Sequence, residues 1–261
     1  NRIDEVVLPA STQEALKIVS GREGLGAVHG DPYVFYSKGY LYAQNGEAGV
    51  GCSMACTDGL VRVLEALGDH PEHRRAVDLI RGSSYERVYH GAQFATEIQG
   101  GSDIPANVVR AVPDGDAYRL LGQKWFCSNI NADYFLVTAR PERAPEGGQG
   151  VGLYLVPAYV DESGTQRNGY TIDRLKNKFG TRELATAEVT FDGAVAYAIG
   201  STEKGLANLV KHVLVTSRFA CVLSAAGYLR QAERIASAYT QFRTAFGVSI
   251  CDFPVVREDV D

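Results

Sequence analysis

A proline-free stretch from Gly205 to Phe246 is the feature that most limits what this chain can fold into. Apolar residues recur there at steps of three and four, which predicts one amphipathic helix. A helix of about 40 residues would be about 60 Å long and needs partner helices along most of its length. Gly247 then breaks the pattern, and Pro254 begins a further helix. Residues 201–261 are therefore expected to begin a long-helix bundle that sequence beyond Asp261, or another subunit, completes.

The first third of the chain, 1–89, also shows helical patterns, which predict an N-terminal α-helical domain. Ser11 followed by Glu14 predicts a capping box at the start of its first helix. Small and apolar residues on a wide face predict that the second helix is buried. The predicted helices cover 11–19, 50–68 and 71–82, and an aromatic segment over 33–44 is expected to pack in the core. We assign no chemistry to this region.

Between these regions, over 90–200, the apolar pattern changes to an alternation of two, which is typical of strands. Turn signals rich in glycine, proline and aspartate separate the strand candidates. The candidates are GAQFATE, NVVRAVPD, AYRLLGQKWFCS, DYFLVTARP, GVGLYLVPA, GYTIDRL and TAEVTFDG. Short strands at this spacing predict an antiparallel β-sandwich or barrel. The expected fold class is therefore α+β, with a central β domain between two helical regions.

Composition narrows the possible classes of function. A net charge of -5 argues against broad affinity for nucleic acid phosphates. No apolar run approaches the ~20 residues that cross a bilayer, so no membrane association is predicted. Five widely spread cysteines favour reduced thiols in a cytoplasmic protein. Cys52 and Cys56 would share a helix face, but without a nearby histidine pair no metal site is predicted.

The segment Phe94 to Asn129 carries the pattern that most resembles a ligand site. The Gly100-Gly101-Ser102-Asp103 turn allows a close approach of the backbone, because glycine lacks a Cβ atom. Side chains alternate along a strand, so Phe126 and Ser128 are expected on one face, with Trp125 on the other as a core or supporting residue. A ring beside a hydroxyl suits a planar, hydrogen-bonding ligand. Taken singly, a GGS turn and a WF pair also occur as an ordinary turn and as core residues.

Several motifs in order resemble the acyl-CoA dehydrogenase family. FATEIQGGSD and GQKWFCSN resemble its two flavin-binding strands, and RLKNKFGTRELATAEVTFDGA resembles the segment that closes its β domain. EKGLANLV and FRTAFG resemble the start and the end of its first long C-terminal helix. The resemblance covers about Tyr89 to Arg257. It implies a flavoprotein oxidoreductase of fatty acid metabolism that acts on CH–CH groups with FAD as its cofactor.

The resemblance also implies roles for particular residues. The flavin ring edge would lie against Gln93, Ala95 and Thr96, and an arginine–phenylalanine pair would reach the FAD of a neighbouring subunit. The implied cofactor-binding residues are Gln93, Phe94, Ala95, Thr96, Gly101, Ser102, Phe126, Ser128, Arg243 and Phe246. The implied substrate-binding residues are Ser102 and Arg218. Arg218 is expected to be buried and to pair with an anion such as the CoA moiety, or with a structural carboxylate.

The catalytic base is the point at which this sequence departs from the family pattern. One branch of the family places a glutamate immediately before the helix arginine, where this chain has Ser217. Another branch places it at a position that would lie beyond Asp261. No base is therefore named in this chain, and Glu97 is expected to be structural.

The resemblance implies partners and leaves alternatives open. An acyl-CoA substrate, an electron-transfer flavoprotein or similar acceptor, and a homotetramer built as a dimer of dimers are implied. The segments KWFCS and SRFACVLSAAG also resemble the AidB-like branch, in which the same flavin fold serves nucleic acid binding and protection with weak dehydrogenase activity. A relic that binds no flavin is the third alternative, which an absorbance spectrum would test.

Overall fold

The computed structural model describes residues 6–161 and 163–260, so the first five positions of the predicted N-terminal domain and Asp261 lie outside the described residues. The helices are α1 (Ala10–Leu16), α2 (Pro32–Ala43), α3 (Gly49–Leu67), α4 (Pro71–Arg81), α5 (Gly205–Asn208), α6 (Val215–Phe242) and α7 (Pro254–Val260). The strands are β1 (Gly91–Phe94), β2 (Arg110–Asp114), β3 (Ala117–Ser128), β4 (Tyr134–Pro141), β5 (Gly152–Pro157), β6 (Tyr170–Leu175), β7 (Thr186–Ala198), β8 (Thr244–Ala245) and β9 (Val248–Ser249). The predicted α+β class is confirmed, and each predicted strand segment overlaps one of β1 to β7, although β7 runs five residues beyond its predicted segment.

The N-terminal helices begin where local chemistry satisfies their first amides, with one departure from the prediction. Pro32 occupies the first turn of α2, where Asp31 accepts a hydrogen bond from the Tyr33 amide at 2.8 Å. The predicted capping box at the first helix is wrong. Helix α1 is capped by Pro9 without a side-chain bond, so Ser11 lies inside the helix and cannot cap it.

The aromatic residues of helix α2 were predicted to pack in the core, but they are only partly buried. The Tyr33 side chain is 83% exposed, and Val34 and Leu41 are exposed as well. The ring of Tyr36 packs edge-on against Phe219 of α6, with their centroids 4.7 Å apart. Helix α2 is therefore an outer helix that packs against α6 along one side, which explains why only part of its aromatic face is covered.

The central strands close into a barrel. Strand β4 pairs with β5, β5 with β7, β7 with β3, β3 with β2, and β2 again with β4. Strand β1 extends the sheet beside β4, and β6 lies beside β7. The predicted antiparallel pairing holds for the other strand pairs but fails in two, because β1 and β2 both run parallel to β4. Each of these two pairs is joined by a long connection rather than by a hairpin.

Two apolar clusters fix the helices to the barrel. The barrel interior is filled by large side chains that include Phe94, Phe135, Tyr154, Tyr170 and Phe191. A second cluster lies between the outer face of β4 and β5 and the helices, and it includes Leu60, Ile80, Leu136, Leu153, Leu155 and Leu209. Alternation along β4 and β5 sends successive side chains into different clusters. The start of the long helix is thereby held beside the barrel.

The long C-terminal helix leaves most of its apolar surface uncovered. Helix α5, a π-helical turn over Leu209–Leu214 and α6 form one continuous helix, as predicted. The stretch Thr202–Phe242 is 41 residues long, and its most apolar window has a mean hydropathy of 1.4 and is 11% buried. By length and composition alone this helix could cross a membrane, so the prediction that no apolar segment is long enough is wrong, whereas the absence of membrane association stays a prediction. Its exposed large apolar residues are Val210, Val215, Phe219, Val222, Tyr228, Leu229, Ile235, Tyr239 and Phe242.

Candidate functional site

The two predicted ligand-binding segments meet at one edge of the barrel. The chain leaves β1 at Phe94 and continues through Thr96, whose carbonyl accepts a hydrogen bond from the Trp125 amide of β3 at 2.9 Å. This bond places the end of the first segment beside the end of the second. The hydroxyl-bearing residues Thr96 and Ser128 therefore belong to neighbouring stretches of backbone, as the sequence predicts.

A β-bulge near the end of β3 changes the expected direction of its aromatic side chains. The pairing with β7 shifts between Lys124 and Cys127, so strict alternation fails at this point. The Lys176 ammonium lies 3.3 Å from the Trp125 ring centroid and 4.7 Å from that of Phe126. The prediction that Trp125 faces away from Phe126 as a core residue is therefore wrong, because both rings contact the same cation. Phe126 is 47% exposed and offers a ring face to a ligand.

The glycine turn brings backbone against the Thr96 hydroxyl. Gly100 has a φ of +140°, a conformation that side chains disfavour. A Cβ atom at Gly101 would lie 2.7 Å from Thr96 Oγ1, so only glycine fits there without displacement. Ser102 follows the turn and is exposed. The turn thus leaves a compact hydroxyl and amide surface open on one side.

Beneath this surface lies a buried ion pair that the sequence analysis did not predict. Lys124 Nζ lies 2.8 Å from Glu97 Oε1, and both side chains are almost fully buried. The Glu97 carboxylate also accepts the Val108 amide, and Lys124 donates to the Ala95 carbonyl. Burial lowers the pKa of Lys124 to about 8, while the carboxylate opposes that shift. The structural role predicted for Glu97 is confirmed. Lys124 could have been found from the sequence, because a lysine at a core position of a strand needs a buried anion as its partner.

Ser128 is held by a second set of polar contacts, which the sequence analysis also missed. Its Oγ lies 3.0 Å from Thr186 Oγ1, because the two residues are register partners on β3 and β7. Lys178 Nζ donates to Thr186 Oγ1 at 2.8 Å and to the Leu184 carbonyl at 2.8 Å. Thr186 is buried, whereas Ser128 is half-buried. Ser128 is therefore the outermost member of this chain of contacts.

The residues around Thr96 differ in what they can offer to a ligand. Phe94 is 1% exposed and its ring stacks on that of Phe135 inside the barrel, with the centroids 4.7 Å apart, so its predicted cofactor contact would have to be made by its backbone. Gln93 donates through Nε2 to the Cys56 carbonyl on α3 at 3.2 Å. Ala95 is half-buried, and its carbonyl is occupied by Lys124. Their predicted contacts with a flavin edge remain predictions.

The two residues singled out on α6 have different surroundings from those expected. Arg218 is exposed, and within the described residues it makes no ion pair, so the prediction of a buried arginine is wrong. It lies on the uncovered face of the helix, where its positive charge is free to meet an anionic ligand. Ser217 is half-buried, and its hydroxyl oxygen is enclosed without a hydrogen-bond partner among the described residues.

The predicted inter-subunit pair lies at the far end of the long helix. Arg243 ends α6, its side chain is exposed, and within the described residues it has no side-chain partner. Phe246 is 97% exposed in the turn between β8 and β9, with a φ of +52°. Its ring has only an edge contact with Phe253, at 6.3 Å between centroids. Both side chains are thus available to another subunit, which is the role that the resemblance implies.

The cysteines form no metal centre with their neighbours in the described part of the chain. Cys52 and Cys56 share a face of α3 as predicted, with their sulfur atoms 3.9 Å apart. All five cysteines are free. Within residues 6–161 and 163–260, no group of three or more His, Cys, Asp and Glu side chains is arranged to hold a metal ion.

Comparison with known proteins identifies the fold and the family. A family model described as "Acyl-CoA dehydrogenase, middle domain" matches residues 92–194. Acyl-CoA dehydrogenase family member 11 of Caenorhabditis elegans is 34% identical over 97% of this chain and 43% of its own length. The putative acyl-CoA dehydrogenase AidB of Escherichia coli is 35% identical over 62% of this chain and 28% of its own length. A crystal structure of Caenorhabditis elegans ACDH-11 in complex with C11-CoA superposes with a TM-score of 0.90 and 33% identity, over 100% of this chain and 46% of that one.

The closed barrel between helices and the long helix that follows it form the architecture shared with acyl-CoA dehydrogenases. The chain belongs to the acyl-CoA dehydrogenase family. It spans less than half the length of the worm relative that it matches.

Proposed function

We propose that this chain is the flavin-binding part of an FAD-dependent acyl-CoA dehydrogenase. Such an enzyme removes a proton from the α carbon and a hydride from the β carbon of an acyl thioester. The observation that carries this proposal is the shared edge formed by Thr96 and Ser128, joined by the bond from the Trp125 amide to the Thr96 carbonyl. An exposed aromatic ring, Phe126, lies on the same stretch of strand.

The residues at this edge fit a flavin. An isoalloxazine ring is planar, with hydrogen-bonding atoms along one side, and the edge offers hydroxyl groups beside an aromatic face. The missing Cβ atom of Gly101 lets the glycine backbone pack directly against the Thr96 side chain, which keeps the turn compact beside the ligand edge. Thr96, Gly101, Ser102, Phe126 and Ser128 would hold the cofactor, which when bound supplies the hydride acceptor. The exposed guanidinium of Arg218 would attract the phosphates of a CoA substrate.

No residue of this chain is proposed as the base. A serine hydroxyl does not accept a proton from carbon at neutral pH without a base of its own, so Ser217 is unsuited to that step. The enclosed oxygen of Ser217 has no partner among the described residues that would activate it. We therefore expect a carboxylate from elsewhere in the full polypeptide to remove the α proton.

The uncovered face of α6 supports proposals about assembly. A helix of this length with exposed apolar residues needs other helices packed against it. We propose that further helices of the same assembly pack against this face. Arg243 and Phe246 would then reach a neighbouring subunit of a dimer of dimers. An electron-transfer flavoprotein or similar carrier would reoxidise the cofactor, and the cytoplasm would be the compartment.

The absorbance spectrum of the purified full-length protein tests this function. We expect a yellow protein whose flavin absorbance bleaches when an acyl-CoA is added without oxygen. Apoprotein that remains colourless and does not bind added FAD would contradict the proposal. A yellow protein that no straight-chain or branched acyl-CoA bleaches would support the second candidate below.

The second candidate is an AidB-like flavoprotein with a nucleic-acid-binding or protective role and weak dehydrogenase activity. The similarity to the Escherichia coli protein favours it. It predicts bound FAD, poor reduction by acyl-CoA, and salt-dependent binding of duplex DNA. The net charge of -5 makes this chain a poor binding surface by itself, so the basic surface would have to come from another part of the polypeptide.

A further inference from the structure

The hydrogen bonds that link Lys178, Thr186 and Ser128 all donate in the same direction, from Lys178 towards Ser128. An ammonium group only donates hydrogen bonds, so Thr186 Oγ1 is the acceptor in its 2.8 Å contact with Lys178. The hydroxyl proton of Thr186 must then point to another acceptor. Two acceptors are within reach, namely Ser128 Oγ at 3.0 Å and the Leu184 carbonyl at 3.4 Å.

The shorter of these two contacts receives the proton of Thr186. The Leu184 carbonyl already accepts from Lys178 at 2.8 Å, and a separation of 3.4 Å is long for a hydroxyl donor. Thr186 therefore donates to Ser128. Ser128 Oγ then accepts from Thr186, and its own proton is left to point away from the protein interior.

We propose that Lys178 and Thr186 are positioning residues that make the Ser128 hydroxyl a hydrogen-bond donor to the bound flavin. This inference rests on the proposed function. Without Lys178, the Thr186 hydroxyl is free to rotate and accept from Ser128, which would turn the Ser128 proton inward. The partner on the ligand is then an acceptor atom, such as a ring nitrogen or a ring carbonyl of oxidised FAD.

The loop between β6 and β7 carries the cation that sets this direction. Lys178 lies in that loop, and its carbonyl accepts a hydrogen bond from Arg182 Nε at 2.8 Å. The bonds to Leu184 and Thr186 fasten the loop to the start of β7. Because Thr186 on β7 and Ser128 on β3 are register partners, fixing the Thr186 hydroxyl also fixes the hydrogen bond that Ser128 accepts.

Titration of the apoprotein with FAD, followed by flavin fluorescence, tests the inference. Loss of one neutral hydrogen bond predicts a dissociation constant about three- to tenfold higher for Ser128→Ala. Lys178→Met and Thr186→Val should raise the FAD dissociation constant by a comparable factor. Thr186→Ser keeps the hydroxyl and should have the dissociation constant of the wild type. Lys204→Met is a matched control, because it removes an exposed lysine charge that has no side-chain contact among the described residues.

A double-mutant cycle separates an indirect role from a merely structural one. If Lys178 acts through Ser128, Lys178→Met should add nothing to the dissociation constant or the flavin spectrum in a Ser128→Ala background. Independent, multiplicative effects of the two changes would overturn the inference. A Thr186→Val variant with the FAD affinity and flavin spectrum of the wild type would also overturn the inference. This variant replaces Lys178→Met as the test if Lys178→Met does not fold. Failure of the wild-type protein to bind FAD would instead refute the proposed function itself.

Discussion

At the scale of single residues, the site depends on side chains that neighbour one another only in the folded chain. Phe126 and Ser128 are recognisable from their own motif, whereas Lys178 becomes relevant through Thr186. Lys124 can likewise be interpreted only from its ion pair with Glu97, which is 27 positions away in the sequence. Single substitutions therefore test whether each side chain has the role that its contacts indicate.

Removal of the Phe126 ring should weaken flavin binding. The ring is half exposed beside the Ser128 stretch, so it is available to stack on a planar ligand. We expect Phe126→Ala to raise the FAD dissociation constant about five- to tenfold and to shift the flavin spectrum. Phe126→Trp keeps an aromatic face and should stay near wild type. An unchanged spectrum and affinity in the alanine variant would remove the stacking role.

Protonation of His90 should destabilise the fold in mild acid. Asn129 Nδ2 lies 3.0 Å from His90 Nδ1, and because an amide nitrogen only donates, this contact favours a neutral ring that accepts at Nδ1. Burial lowers the pKa of His90, although the nearby Asp133 carboxylate opposes this and Arg87 adds to it. The unfolded chain, with an ordinary histidine pKa near 6.5, therefore binds a proton first as the pH falls.

The free energy of unfolding should then fall below about pH 6.5, by at most about 1.4 kcal/mol per pH unit for this one group. Above that pH both states carry a neutral ring, so the contribution of His90 is constant. Urea unfolding at several pH values measures it. His90→Asn keeps an acceptor without titrating and should flatten the profile, whereas the exposed His29→Asn should leave it unchanged. Equal slopes in all three proteins would contradict the assignment.

At the scale of elements, close packing between helices α2 and α6 depends on one glycine. A Cβ atom at Gly227 would lie 2.7 Å from Ala43 Cβ and 2.8 Å from the Tyr40 carbonyl. Helix propensity alone would make Gly227→Ala stabilising by about 1 kcal/mol. The steric conflict should reverse that sign and lower the free energy of unfolding by about 1 to 3 kcal/mol. Urea denaturation decides between the two signs, and a stabilised variant would show that the helices can separate freely.

The elements themselves were mostly predictable, because each depends on interactions that are short in sequence. Pro71 and Gly82 bracket α4, and the alternating pattern located all seven strands of the central sheet. The failures occurred where the backbone departs from a regular period. The bulge at Trp125 and Phe126 has no local signal, and the capping box at Ser11 was lost because Pro9 begins the helix earlier.

At the scale of the whole molecule, the exposed end of the long helix links cofactor binding to assembly. Arg243 has no side-chain partner in the described chain, although it follows a helix whose apolar face is largely uncovered. We expect Arg243→Ala to raise the FAD dissociation constant about tenfold, the cost of a lost charged hydrogen bond, and to reduce the assembled fraction. Light scattering after gel filtration and the flavin content per chain measure both effects.

Arg234→Ala provides the control, because Arg234 is exposed on the same helix and makes no side-chain contact among the described residues. It removes the same charge and should change neither flavin content nor mass. Normal flavin content in Arg243→Ala would refute the inter-subunit assignment. A loss of mass with unchanged flavin affinity would separate assembly from cofactor binding.

The sequence by itself determined most of the helical and strand segments, the long helix and the two motifs of the candidate site, because periodicity, turn chemistry and glycine act over a few residues. Tertiary structure alone decided the closure of the barrel, the exposure of Arg218 and the direction of the Trp125 ring. It also decided the contacts of Ser128, whose partner Thr186 is 58 positions away. Such contacts depend on which residues strand register brings together, and no local pattern in the chain specifies that register.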